Sequence, residues 1–125
     1  MFSLFGRNKP LGEQGEDLAA KFLKKSGYTI LDRNVHLGRY EIDLIVSQDD
    51  TTVFVEVKTR RTDDPVSPEE NVNQRKQEHI SQAARHYISD EDDPERYYRF
   101  DIVAVVLPEN GAPKIQHFPD AFQMT

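Results

Sequence analysis

The sequence predicts an α/β fold, with a mixed sheet of about five strands flanked by two main helices. Three observations predict it. Two stretches carry apolar residues at helical spacing: Leu18, Ala19, Phe22 and Leu23 in the first, and Val72, Ile80, Ala83, Ala84, Tyr87 and Ile88 in the second. Five shorter runs are rich in β-branched and aromatic residues. The order is helix, three strands, helix, two strands, and so few elements bury their apolar faces most simply as helices packed on one mixed sheet. A chain of 125 residues is long enough for one ordinary domain and too short for two. Residues 1–10 are expected as a flexible N-terminal segment and residues 11–125 as a single domain.

Each element has a local cause. The first helix is expected from Leu11 or Gly12 to Ser26, with Gly27 as a left-handed stop. Glu16 falls roughly 20° from Leu23 at about 100° per residue, on the rim of the buried face. Residues 28–33 read as a short strand and residues 34–38 as a connection. Residues 41–46 and 53–58 read as a hairpin, with its turn at Asp49 and Asp50. A polar loop follows over residues 59–66. Ser67-Pro68-Glu69-Glu70 has the form of a capping box with proline at the first helical position, which starts the second helix there. Residues 90–95 form an acidic loop broken by Pro94. Residues 99–107 are almost all apolar after Asp101, as in a strand covered on both faces. Residues 114–118 close the chain as an edge strand.

Composition narrows the function. The absence of Cys excludes disulfides and thiolate metal sites and fits a reducing compartment. The net charge of −6 argues against a surface that binds nucleic acid by bulk phosphate neutralisation, and leaves room for a local basic patch. No apolar run approaches the roughly 18–20 residues of a membrane helix. Residues 1–10 lack a signal peptide's charged start and long apolar middle. The expected location is the cytoplasm, with no membrane partner.

The hairpin carries the chemistry. With the turn at Asp49 and Asp50, Asp43 lies opposite Glu56, and Glu41 opposite Lys58. Directly opposed Cβ atoms are about 4.5–5.5 Å apart. Glu41, Asp43, Glu56 and Lys58 then share one face, while Ile42, Leu44, Val46, Val53, Val55 and Val57 share the other. Opposed carboxylates repel unless a cation lies between them. Oxygen ligands without Cys or His favour Mg²⁺ or Mn²⁺ over Zn²⁺. Lys58 is placed to orient a water or to stabilise charge on a phosphate. The same alternation also fits an ordinary half-exposed sheet, with Glu41 and Lys58 as a cross-strand ion pair. Lys58, Arg60 and Arg61 make a small basic group by the loop, and Arg75 and Lys76 another near the second helix. Lys76 lies within the apolar stripe, where it either directs its ammonium toward the hairpin or snorkels to solvent. His36, His79, His86 and His117 are scattered, and Arg99 with Asp101 reads as a structural ion pair.

Asp43 followed by Glu56-Val57-Lys58 resembles the PD-(D/E)xK nuclease superfamily, whose fold is restriction-endonuclease-like. Over residues 12–122 the chain resembles, more closely, the YraN-like family of predicted nucleases. The resemblance is carried by Gly15-Glu16-Asp17-Leu18-Ala19, Gly27-Tyr28, Arg33-Asn34, Glu41-Ile42-Asp43-Leu44-Ile45, Phe54-Val55-Glu56-Val57-Lys58-Thr59-Arg60, Arg99-Phe100-Asp101 and Ala121-Phe122. It implies Asp43, Glu56, Glu16 and the Val57 carbonyl as metal ligands, Lys58 as the catalytic lysine, and Lys76 as a basic position of the second helix. Tyr40 departs from the glycine usual before Glu-Ile-Asp. The expected function is Mg²⁺- or Mn²⁺-dependent phosphodiester hydrolysis on nucleic acid, DNA before RNA and structured DNA by fold analogy. Arg60, Arg61, Arg75 and Lys76 would then contact phosphate. Cutting both strands would favour a homodimer. The alternative is a non-catalytic nucleic-acid-binding or partner-binding module on the same fold.

Overall fold

A computed structural model of the chain describes residues 9–61 and 72–125. Most of the expected N-terminal segment, the loop over 62–66 and the Ser67–Glu70 capping box lie outside the described residues. Two helices, α1 (Leu11–Lys25) and α2 (Gln74–Glu91), accompany five strands. These are β1 (Thr29–Leu37), β2 (Tyr40–Gln48), β3 (Thr51–Arg60), β4 (Tyr97–Val106) and β5 (Lys114–Phe122). The strands form one mixed sheet in the order β1-β2-β3-β4-β5. Only β3 and β4 run parallel, and α2 lies between them in sequence. This is the predicted α/β architecture. No helix among the described residues is long and apolar enough to cross a membrane.

The helices cover opposite faces. Ala19, Ala20 and Leu23 of α1 pack with Leu44, Val46, Val53, Val55, Val103 and Val105. Ile80, Ala83 and Ala84 of α2 pack with Ile42, Ile45, Phe54, Phe100 and Ile102. Val53, Phe54 and Val55 alternate between the two clusters, as a central strand buried on both sides must. Each such apolar side chain contributes about 1.5–3 kcal/mol on burial. Two of them offset the several kcal/mol that a buried charge costs, so this core can carry an electrostatically unfavourable site.

Helix α1 ends as predicted. Gly27 has φ of 96°, and the amides of Gly27 and Tyr28 return to the carbonyls of Lys24 and Leu23. Gly15 is needed for close approach: a Cβ there would lie 2.7 and 2.8 Å from Cγ2 and Cβ of Thr59 on β3. Gly15→Ala is therefore expected to destabilise the fold by about 1–3 kcal/mol through overpacking. Urea denaturation measures this, and an unchanged midpoint would mean that α1 is not pressed against β3 at this point.

β3 extends through Thr59 and Arg60, residues expected in the loop, and three other boundaries shift further from the sequence expectation. β1 continues through residues 34–37, because the chain reverses later, at Gly38 with φ of 67°. α2 begins at Gln74, not at the capping box, because Asn73 is extended and its side chain accepts from the Lys76 amide. Val72 thus precedes the helix, although it joins the α2-side core. β5 runs past Phe118 to Phe122 with an irregularity opposite Phe100 and Ile102.

Candidate metal and nucleic-acid site

The site forms where β2 diverges from β3. The predicted register is present from Gln48↔Thr51 to Leu44↔Val55. Beyond that point the ladder stops, and Asp43 Oδ2 accepts the Val57 amide at 2.8 Å instead. On the other side of β2 the paired positions pass from Val35↔Ile42 to Arg33↔Leu44, leaving out Asn34 and Asp43. Asn34 has φ of 49°. Asparagine tolerates this left-handed conformation better than most residues. The side-chain alternation breaks here: Ile42 joins Ile45 in the α2-side core, while Leu44 lies on the α1 side. The expected continuous face from Ile42 to Val57 is therefore corrected at Ile42. A local break of this kind re-aims one side chain, in this case Asp43.

The Asp43 and Glu56 carboxyls are neighbours, although the ladder pairing expected for these two residues is not formed. Glu56 is only 6% exposed and Asp43 is half-buried. An ordinary solvent-facing strand does not account for Glu56, since α2 covers this face. Burial, and then the Asp43 charge, push the Glu56 carboxyl up to about 8. Burial also raises Asp43, against the Val57 amide and a hydrogen bond from Glu56. Their mutual interaction favours ionised Asp43 and neutral Glu56.

Lysines stand beside this pair. The Lys76 ammonium lies 3.7 Å from Glu56 Oε2, and its charge also favours ionised Asp43. Of the two readings of Lys76, the structure shows the inward one. Lys58 is half-buried on β3 and favours ionised Glu56 from two residues away. Arg61 and Arg75 are exposed, and Arg60 is half-buried with its carbonyl accepting the Leu107 amide. The Glu41–Lys58 pairing is not formed, because the β2–β3 ladder has ended. Glu41 instead pairs with His36 of β1 at 3.2 Å.

Glu16 approaches from α1. Burial raises its carboxyl, followed by the Asp43 charge, while an Asn34 hydrogen bond opposes them. Its Oε1 is buried with no hydrogen-bond partner among the described residues. Glu16 is thus near Asp43, yet no three His, Asp or Glu side chains among the described residues converge as a ready ligand set. At Val57 it is the amide that is engaged, by Asp43. Asn34 is a site residue that sequence reasoning misses. An Arg33-Asn34 dipeptide between strand residues gives no local sign of a left-handed kink aimed at a helix.

A second polar network lies apart from this one. Asp101 is fully buried and accepts four bonds: Arg99 Nε at 2.8 Å, Arg99 Nη2 at 2.9 Å, His117 Nε2 at 2.7 Å and the Asp120 amide at 2.9 Å. Arg99 also donates to the Tyr28 hydroxyl at 2.9 Å. Burial alone would raise the Asp101 carboxyl, but its partners hold it below the usual range. Asp101 is a structural anchor, as read from the sequence. Its link to His117 has no counterpart in the sequence reading.

These features define an α/β domain with a buried carboxyl pair and two lysines at the divergence of its central hairpin. The chain belongs to the uncharacterised protein family UPF0102, the YraN family, whose model matches residues 15–105. It is 44% identical over 118 residues to a UPF0102 protein of Syntrophomonas wolfei, covering 92% of this chain and 99% of the relative. It is 46% identical over 103 residues to one of Chloroherpeton thalassium, covering 82% and 80%. A further relative from Geobacter sulfurreducens is 40% identical over 117 residues, covering 94% and 91%.

Proposed function

We propose that this chain is a Mg²⁺- or Mn²⁺-dependent nuclease that hydrolyses phosphodiester bonds, with structured DNA as the expected substrate. One observation carries the reading: a buried Glu56 carboxyl beside half-buried Asp43, with the Lys76 ammonium 3.7 Å away. A hard divalent cation could take the place of the Glu56 proton. The donor set fits Mg²⁺ or Mn²⁺, being all oxygen, with the unpartnered Oε1 of Glu16 nearby. Asp43 and Glu56 would hold the ion directly. Glu16 would hold it with them, and the Val57 carbonyl is the further ligand implied by the resemblance. When bound, the metal supplies Lewis-acid polarisation of a phosphoryl oxygen and a lowered pKa for water.

The chain's own groups do the rest. Lys58 lies two residues beyond Glu56 on the same strand and would orient the attacking water or stabilise developing phosphate charge. Lys76 offsets the carboxylates in the free protein and would turn to the phosphate once a cation took over that role. Arg60, Arg61 and Arg75 would contact flanking phosphates. A non-catalytic nucleic-acid-binding or partner-binding module is the second reading, favoured by the absence of a ready three-residue ligand set among the described residues.

One assay separates the two. Wild type, Asp43→Ala and Lys58→Ala are incubated with single-stranded, duplex and branched DNA and with RNA, in Mg²⁺, Mn²⁺ or EDTA. The expected result is metal-dependent cutting that falls at least about 100-fold in either variant. Binding without cutting that survives EDTA and both substitutions supports the module. Undiminished cutting in both variants would remove these residues from the mechanism.

A further inference from the structure

A stacked pair of rings lies on the same two elements that carry Asp43 and Lys76 and is not used by the chemistry above. Tyr40 opens β2, three residues before Asp43, and His79 lies three residues after Lys76 on α2. Their ring centroids are 4.0 Å apart and their planes 9° from parallel. Both residues are half-buried. The exposed Arg39 places its guanidinium carbon 5.9 Å from the Tyr40 ring centroid.

This pair differs from the aromatic contacts of the core. Phe54–Tyr87 and Phe100–Phe122 each include a buried ring of the α2-side cluster, whereas Tyr40 only packs against that cluster and neither ring of its pair is buried. Tyr40 and His79 sit at the rim, flat against one another, with a cation at the tyrosine. His79 holds the phenol ring in place, so a third planar group could stack there with little further ordering. A planar partner next to lysines that face a carboxyl pair has the chemistry of a nucleobase beside its phosphate.

We infer that Arg39, Tyr40 and His79 form a stacking step for one unpaired nucleobase, so that the site takes single-stranded or locally unpaired nucleic acid in preference to intact duplex. This rests on the nuclease reading for its substrate class and adds the specificity element. In a duplex both faces of each internal base are already stacked, so the step rewards a base that is free. Arg39 either brackets that base or moves to its phosphate.

The test is binding without cutting. A short single-stranded oligonucleotide carrying 2-aminopurine, and the same strand in a duplex, are titrated with full-length protein in EDTA and in Ca²⁺. Wild type, Tyr40→Phe and Tyr40→Leu are compared after thermal melts confirm that each is folded. Wild type and Tyr40→Phe are expected to quench the probe and to prefer the single strand. Tyr40→Leu is expected to lose the quenching and to bind the single strand about tenfold more weakly, with little change on duplex. Equal weakening on both forms, or unchanged quenching in Tyr40→Leu, would overturn the stacking step. Metal-dependent cutting that persists alongside either of those results would leave the nuclease reading intact. If wild type binds neither form, both readings fall. Quenching as expected without cutting supports the step and counts against catalysis.

Discussion

In metal-free buffer the folded chain is expected to lose stability as pH rises from about 4.5 to about 8, and Mg²⁺ is expected to return it. The cause is Glu56. Its carboxyl ionises near 4.5 when exposed and near 8 when buried beside Asp43. Between those values the folded state holds a proton that the unfolded chain has released. Stability from this group is therefore complete below about 4.5 and is lost as pH climbs through the folded value. The full effect is about 5 kcal/mol at most, and it belongs to the Asp43–Glu56 pair rather than to one residue. A cation at the pair replaces the proton, so the loss at pH 8 is expected to shrink with added Mg²⁺ or Mn²⁺. Glu56→Gln keeps the shape and removes the titration. It is expected to be more stable than wild type at pH 8 in EDTA and to gain nothing from Mg²⁺. Urea unfolding at pH 5.5 and 8, with EDTA or Mg²⁺, reads all of this. If Glu56→Gln follows the same pH dependence as wild type, the pair is not its source.

Asp101→Ala is expected to cost about 3–5 kcal/mol, with none of that loss recovered by Mg²⁺. The substitution removes the acceptor of four hydrogen bonds at once and leaves Arg99 without its carboxylate. It also releases the Asp120 amide, which anchors the irregular end of β5. Asp101→Asn retains some of the hydrogen bonding and should fall between the two. The Asp101 carboxyl is held low, so its contribution is present above its unfolded value near 3.8 and is lost as pH falls through the folded value. Its pH dependence is thus opposite in sign to that of Glu56, and together they place the maximum of their joint contribution between about pH 3.8 and 4.5. A thermal melt in EDTA checks the size of the Asp101 effect. A loss below about 1 kcal/mol would mean that the network is not a principal support of the fold.

Much of this was legible in particular residues. The turn at Asp49 and Asp50 set a register that holds as far as Leu44 and Val55, one pair short of Asp43 and Glu56. Gly27 ended α1 by the expected left-handed conformation. Asp101 read as an anchor because a carboxylate at the start of an otherwise apolar strand needs partners. Other features were not legible because their causes are remote in sequence. The capping box at Ser67 was a sound local signal, yet the helix begins at Gln74, after Asn73. Glu41 met His36 rather than Lys58, because β2 and β3 separate before a regular hairpin would, beyond Leu44 and Val55. His117 carried no local sign of its contact with Asp101, sixteen residues away.

The sequence by itself determined the order and type of the elements, the hairpin register as far as Leu44 and Val55, and the membership of the carboxyl pair. These follow from spacing and turn chemistry, which act between near neighbours. Only the tertiary structure decided that α2 would cover the acidic face and bring Lys76 to Glu56. It also decided that Asp43 would leave the ladder where Asn34 takes a left-handed conformation, and that Tyr40 would stack on His79. Those outcomes depend on how two helices share the faces of one twisted sheet, a balance of packing over the whole core that no short window of residues contains.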